Sequence, residues 1–200
     1  MAGFSVITFL AQVPVYYDEY LALFTLGATG TAENYFPGDA VNILPGDHIS
    51  WYIGVYNHMG SVQLVKVVFK LLNATMQGPD QLNNTPSTRA GFSEKTRLLV
   101  SNETWTIPLS WSILNATETR TPTALLANFT AIHSILFNGD VNSENVEVQA
   151  THGYNYRIVI ELWVYDETAG SYSFVWSSNG VKRSAWNQVW FNMTRISLLP

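Results

Sequence analysis

Six Asn-x-Thr sequons are the clearest chemistry in this 200-residue chain. The pattern Asn-x-Ser/Thr marks the side-chain nitrogen of its asparagine as the acceptor of an N-linked glycan. The acceptors are Asn73, Asn83, Asn102, Asn115, Asn128 and Asn192. Chance would give roughly two or three such sites. We therefore predict a secreted glycoprotein with covalent N-glycans on loops and outward strand positions. Accidental sequons in a Thr-rich β-protein are the alternative.

The other reactive side chains form no recognisable site. Nucleophile, phosphate-binding and zinc-protease motifs are missing, and the spacing of the four histidines is not that of a metal pair. Glu33, Asp39 and Asp47 could hold calcium, but solvated loop carboxylates are favoured. We interpret His58 as a structural residue and His133 as a satisfied core histidine. The sequence thus predicts no catalytic residue, no metal and no cofactor, and a protein that is not an enzyme.

The amino-acid composition limits the kinds of partner that this protein could bind. The ten Lys and Arg residues are scattered and the formal charge is -5, which argues against nucleic acid. Cysteine is absent, so no disulfide can stabilise the fold. We expect a location on the cell surface, outside the cell. We expect contact with a membrane, if any, only through a processed precursor or an anchor.

The elements that must position these residues are predicted to be β-strands. Apolar runs rich in β-branched and aromatic residues alternate with Gly, Pro and Asn turns, and no segment keeps a 3.6-residue period. The runs HISWYIGVYN and SVQLVKVVFKLLN, separated by HMG, predict a hairpin. The runs TRLLV and TWTIPLSWSI, around SNE, predict a second. We predict an all-β, immunoglobulin-like β-sandwich over residues 20–200.

The sequons also predict which strand faces point outward, because a glycan cannot enter a core. An outward Asn192 places Val189, Phe191 and Met193 inside. The same alternation places Asn128 and Thr130 outside. It then turns the intervening side chains inward, namely Phe129, Ala131 and His133. Trp186 and Trp190 share the face of Asn192 and could form a binding platform or an interface.

Residues 1–19 are predicted to be an extended segment that precedes the sandwich. Its odd positions are all apolar, namely Ile7, Phe9, Ala11, Val13 and Val15. The even positions from Thr8 to Pro14 are mixed, and this period of two predicts a half-buried strand. Three interpretations stay open. The strand could be donated to a neighbouring copy, pair within its own subunit, or be the remnant of a signal or membrane segment.

Two stretches carry a resemblance to a known family. They run from Tyr20 to Gly60 and from Tyr156 to Val164, and they resemble the archaeal domain-of-unknown-function family numbered 1616. The matching residues are Leu26, Gly27, Gly30, Ala32, Tyr35, Gly54, Asn57, His58, Gly60, Tyr156, Arg157, Leu162, Trp163 and Val164. The resemblance implies a cell-surface protein with an immunoglobulin-like fold and brings no catalytic residues.

A second resemblance concerns overall design. A cysteine-free, sequon-rich β-domain with an apolar extended N-terminus is similar to subunits of thread-like archaeal surface filaments. That similarity implies assembly by donor-strand complementation, head to tail, into a homopolymer of identical copies. We therefore expect a structural filament subunit. The alternative is an envelope-associated glycoprotein domain that binds polysaccharide or other surface proteins.

Overall fold

The fold is a sandwich of β-sheets, as the strand pattern predicts. The computed structural model describes residues 18–120, 128–149 and 154–193. Within these ranges, the only helical element is a short 3-10 turn at Pro37–Asp39, and no helix is long and apolar enough to cross a membrane. The strands are β1 (Tyr20–Leu26), β2 (Asn42–Ile43), β3 (Ile49–His58), β4 (Gln63–Asn73), β5 (Ser93–Leu99), β6 (Thr104–Arg120), β7 (Asn128–Phe137), β8 (Asp140–Gln149), β9 (Tyr156–Asp166), β10 (Ser171–Ser173), β11 (Trp176–Ser178), β12 (Val181–Arg183) and β13 (Ala185–Met193).

Two sheets enclose the core. Sheet 1 has the strand order β1-β3-β6-β7-β8, and sheet 2 has the order β2-β13-β9-β4-β5, with β10 also paired to β9. The pairs are antiparallel, except that β2 runs parallel to β13. Strands β11 and β12 form a separate hairpin. This layered arrangement confirms the all-β sandwich and is compatible with an immunoglobulin-like topology.

Aromatic rings from both sheets fill the centre of the core. The ring of Trp111 lies 5.2 Å from that of Trp51 in sheet 1 and 5.5 Å from that of Phe191 in sheet 2. Tyr156 stacks on the other side of Phe191. Phe191 and Met193 are buried and Val189 packs against the core, so the predicted inner face of β13 is confirmed.

Both predicted hairpins are wrong, because each pair of strands crosses from one sheet to the other. Strand β3 belongs to sheet 1 and β4 to sheet 2, while β5 belongs to sheet 2 and β6 to sheet 1. The fully buried side chain of Asn57 joins the two crossings. Its Nδ2 donates to the carbonyl oxygens of Ser61, Leu99 and Val100 at 2.9–3.1 Å.

Tight hairpins form instead at Asn-Gly dipeptides. Asn138 and Gly139, between β7 and β8, have φ values of 50° and 92°. Asn179 and Gly180, between β11 and β12, have φ values of 50° and 76°. Asn-Gly favours such positive φ angles and is the strongest short hairpin signal in a sequence.

The predicted face pattern of β7 is also wrong. Thr130 is buried, and its Oγ1 lies 2.8 Å from the hydroxyl of Tyr156, so this threonine faces the core. His133 is half-buried, and its ring nitrogens bond Thr117 and Asn145 rather than core groups. The pairing of β7 with β8 is irregular between Ile132 and Ser134. This irregularity moves the buried positions from Thr130 and Ile132 to Ile135 and Phe137. Thr130 itself lies before the irregularity, so the wrong prediction for this residue comes from taking the sequon as a marker of the outer face.

Candidate functional site

Two neighbouring edge strands, β1 and β13, carry no charged residue. Strand β1 pairs only with β3 among the described residues. Strand β13 pairs with β9 along one side, and on its other side β2 covers only Asn192 and Met193. Within the part of the chain that the structure describes, no strand therefore pairs with the free side of β1 or with most of the free side of β13.

The edge strand at the opposite side of each sheet carries charged side chains. Edge strand β5 carries Glu94, Lys95 and Arg97, and edge strand β8 carries Asp140, Glu144 and Glu147. Arg89 binds Glu144 at 2.7 Å and fastens a loop beside β8. Charged side chains on an edge strand discourage pairing with another chain. The β1 and β13 edges lack this protection.

The opening between β1 and β13 has an apolar lining and a polar bridge. Leu23, Ala185 and Val189 are only partly buried, although they pack against the core. The hydroxyl of Thr25 donates to Oδ1 of Asn187 at 3.0 Å, which joins the two strands at one point. Partly exposed apolar side chains that face inward leave room for further apolar contact.

Loops hold the two ends of β1. At its start, the hydroxyl of Ser178 donates to the carbonyl oxygen of Glu19 at 2.7 Å. At its end, the hydroxyl of Tyr35 donates to the carbonyl oxygen of Thr25 at 3.0 Å. Strand β1 is thus fixed as an edge. The proposed donor residues Ile7, Phe9, Ala11, Val13 and Val15 lie outside the described residues.

One sequon asparagine, Asn73, is buried rather than exposed. Asn73 is buried at the end of β4, and its Nδ2 donates to the carbonyl oxygen of Glu147 at 2.7 Å. Its Oδ1 accepts from the backbone nitrogens of Thr75 and Met76. This amide nitrogen is therefore held against sheet 1 in the interior of the protein and not turned toward solvent. The prediction that all six sequons lie on outward positions is therefore wrong for Asn73.

The other sequons differ in accessibility. Asn83, Asn102 and Asn115 are exposed. Asn192 is half-buried, and its Oδ1 accepts from the backbone nitrogen of Asn155. The side chain of Asn128 lies outside the described residues. Glycosylation of these positions stays a prediction.

The outer face of sheet 1 is aromatic and uncharged along β1 and β3. Tyr20, Phe24 and Tyr52 are each 36–37% exposed. Phe24 lies across Gly54, where an added Cβ would come within 1.9 Å of the ring. The glycine therefore creates the space in which the ring lies flat on the sheet. Strand alternation alone does not reveal this face, because it does not show that β1 and β3 are neighbours.

The outer face of sheet 2 is covered instead. The guanidinium of Arg157 lies over the ring of Trp190, 4.6 Å from the ring centre. That face of the Trp190 ring is therefore not available as a binding platform. Arg157 also donates to the carbonyl oxygen of Met76 at 2.6 Å, and burial lowers the pKa of its guanidinium. Trp186 and Trp190 do lie on the same face of β13 as Asn192, as predicted, because all three alternate with the inward-facing residues that end in Phe191 and Met193.

A buried ion pair lies beneath the loop between β4 and β5. Nζ of Lys70 lies 2.8 Å from Oε2 of Glu161, and both side chains are at most 5% exposed. Ser87 closes the cluster, because its nitrogen donates to Glu161 and its carbonyl oxygen accepts from Lys70. Trp163 donates to the same carboxylate. These contacts fasten the loop between β4 and β5 to strands β4 and β9.

The family-like motif residues have structural roles. An added Cβ on Gly27 would lie 2.0 Å from the carbonyl oxygen of Glu33, so only glycine fits this turn. Tyr156 is fully buried, and burial raises its pKa to about 12. Asn57 holds the sheet crossings, as described above. His58 bonds the exposed Asn102, which agrees with its interpretation as a structural residue.

No group of His, Asp or Glu side chains within the described ranges is arranged to hold a metal ion. Oδ2 of Asp47 instead accepts a hydrogen bond from the backbone nitrogen of Leu44 at 2.8 Å. That contact holds the Asp47 carboxylate within its own loop.

Comparison of the chain with protein-family models finds no match, and comparison with curated proteins finds none. The resemblance to the archaeal family therefore stays a prediction.

Proposed function

We propose that this protein is the repeating subunit of an extracellular filament, in which each copy donates its N-terminal strand to the next. The observation that carries the proposal is the pair of uncharged edges, β1 and β13, beside one another on a sandwich whose other edges are charged. An added strand would satisfy the free backbone groups of such an edge.

The segment that precedes β1 has the pattern that this opening requires. Five apolar side chains at alternate positions from Ile7 to Val15 could face Leu23, Ala185 and Val189. A contact of this kind joins two different surfaces of the same protein. It is head to tail, and it builds a filament when it does not close on itself.

Pairing within one subunit is the competing arrangement. Only residues 16–19 separate the proposed strand from β1, and a four-residue loop is long enough for a hairpin. In that case the segment would lie against its own β1 and the protein would remain monomeric.

Deletion of residues 1–15 distinguishes the two arrangements. Strand donation predicts that the truncated chain is a destabilised monomer, that a peptide of residues 1–15 raises its melting temperature, and that it forms no filaments in electron micrographs. Filaments formed by the truncated chain would rule donation out. Rescue by the peptide with a full-length chain that stays monomeric would support pairing within one subunit.

Two substitutions on opposite faces of the segment make a matched pair. Phe9→Asp places a charge on the apolar face and should abolish filaments. Gln12→Asp places the same charge on the mixed face and should leave them intact. If both variants behave alike, the segment does not bind as an alternating strand.

A second candidate function, polysaccharide binding, is favoured by the exposed rings of Phe24 and Tyr52 on sheet 1. Flat aromatic faces can pack against the apolar faces of sugars. Phe24→Ala and Tyr52→Ala should weaken retention on a polysaccharide matrix while filaments remain. Unchanged retention would exclude this role for the face.

A further inference from the structure

A cluster of rings surrounds one exposed sequon on sheet 1. Tyr20 of β1 lies opposite His58 of β3, with ring centres 5.0 Å apart, and 6.0 Å from the ring of Tyr56. The rings of Tyr56 and His58 are 5.8 Å apart and inclined by only 22°. These three side chains project from the outer face, where Tyr20 is 37% exposed.

Asn102, the acceptor of this sequon, is oriented by that cluster. Its Oδ1 accepts from Nδ1 of His58 at 2.8 Å and from the hydroxyl of Tyr56 at 3.2 Å. The residue lies in the turn between β5 and β6 and has a φ of 64°. Asn102 is exposed, and both bonds engage its oxygen, so among the described residues its amide nitrogen makes no hydrogen bond.

The threonine of the sequon lies beside the same rings. Thr104 is exposed and pairs directly with Tyr56 in the register of β3 and β6. The acceptor asparagine and the threonine that an N-glycosylation enzyme requires therefore adjoin one aromatic surface.

We propose that an N-glycan on Asn102 is a fixed part of the fold, with its first sugar lying on the rings of Tyr20, Tyr56 and His58. Transfer from a lipid-linked oligosaccharide phosphate forms a bond between Nδ2 and the anomeric carbon of that sugar. The bond from this carbon to the phosphate oxygen breaks, and the phosphate and the amide proton leave. No oxidant or reductant is needed.

Physical chemistry favours this placement over a freely moving glycan. The face of an aromatic ring is electron-rich and attracts the weakly positive C–H groups of a sugar. Attachment at Asn102 makes the contact intramolecular, so the high effective concentration compensates for a weak individual contact. The sugar would also cover an apolar surface that solvent otherwise reaches. This inference does not depend on strand donation.

The test compares the full chain from a glycosylating host with the same chain from a host without that machinery. Thr104→Val removes the sequon while Asn102 and its two bonds stay, and the valine preserves the preference for a strand. Asn115→Gln removes another exposed sequon, whose side chain makes no hydrogen bond among the described residues, and is the control. Mass spectrometry measures occupancy, and calorimetry measures the melting temperature.

We expect Asn102 to be occupied. Thr104→Val should lower the melting temperature by about 2–4 °C in the glycosylated protein and by less than about 1 °C in the unglycosylated one. Asn115→Gln should have little effect in either. Tyr20→Ala, made in both preparations, should reduce the stabilisation that the glycan provides. An unoccupied Asn102, an effect no larger than that of Asn115→Gln, or a glycan effect unchanged by Tyr20→Ala would each overturn the proposal.

Discussion

Thr25 and Asn187 bridge the two sheets of this protein at their uncharged edges. The hydroxyl of Thr25 in β1 donates to Oδ1 of Asn187 in β13 at 3.0 Å. Both side chains lie on inner faces, since their strand partners are the buried Ile53 and Ile160. This polar contact sets how closely the edges approach beside the opening proposed to accept a donated strand.

Removing the bridge should destabilise the sandwich modestly. Thr25→Val keeps the shape and strand preference but leaves the Asn187 amide without this partner. We expect the free energy of unfolding to fall by about 1 kcal/mol. Chemical denaturation measures the change. Thr106→Val, an exposed threonine on the outer face of β6, should change it by less than about 0.5 kcal/mol. Equal effects would show that the bridge contributes nothing.

Breaking the buried ion pair should be more damaging. Glu161→Gln leaves the ammonium of Lys70 buried without an opposite charge, and we expect a loss of about 3–5 kcal/mol. Lys66→Met is the control, because Lys66 lies on the same face of β4, separated from Lys70 by Val68, and pairs with the mostly exposed Glu94 at 3.2 Å. It should lose less than about 1 kcal/mol. Equal losses, measured by urea unfolding, would contradict the assigned role of the buried pair.

Asn57→Asp should disrupt the crossings between the sheets. The substitution replaces the nitrogen that donates to three carbonyl oxygens with a carboxylate oxygen that would repel them. We expect a loss of about 3 kcal/mol or more, because several buried acceptors lose their donor together. Asn142→Asp removes one exposed bond to the carbonyl oxygen of Asp140 and should be nearly neutral. A stable, fully folded Asn57→Asp variant would refute this explanation of the crossings between the sheets.

The raised pKa of Tyr156 predicts that the folded protein loses stability at alkaline pH. Burial raises the pKa of this tyrosine to about 12, above its ordinary value of 10.0. Between these pH values the unfolded chain has lost the proton while the folded chain retains it, so stability falls as pH rises. The expected slope is about 1.4 kcal/mol per pH unit. Urea unfolding from pH 9 to 12 measures it.

Phenylalanine variants separate this effect from general alkaline damage. Tyr156→Phe should flatten the slope, because it removes the titrating hydroxyl. Tyr154→Phe changes a tyrosine that is 50% exposed and should leave the slope as it is. If the slope survives in Tyr156→Phe, it arises from other groups.

Local alternation was enough to predict the strands and much of the core. In β9 every second residue from Tyr156 to Val164 is large and apolar, as are Val189, Phe191 and Met193 at the end of β13. A strand turns such alternate residues to one face whatever its partners are. The absence of charge in β1 is likewise visible in the sequence, but its meaning is not, because a strand is an edge only relative to its neighbours.

Tertiary contacts decided which sheet each strand joined and which side chains were buried. The side chain of Asn57 bonds backbone 42 and 43 residues further along the chain, and this turned two predicted hairpins into sheet crossings. Asn73 became buried because its nitrogen meets the carbonyl oxygen of Glu147, 74 residues away. Sequence patterns report the preferences of neighbouring residues, whereas such bonds form only after the chain has brought distant segments together. Composition and alternation therefore determined the fold class of this protein, while its open edges and its accessible sequons were determined by the packing of the two sheets.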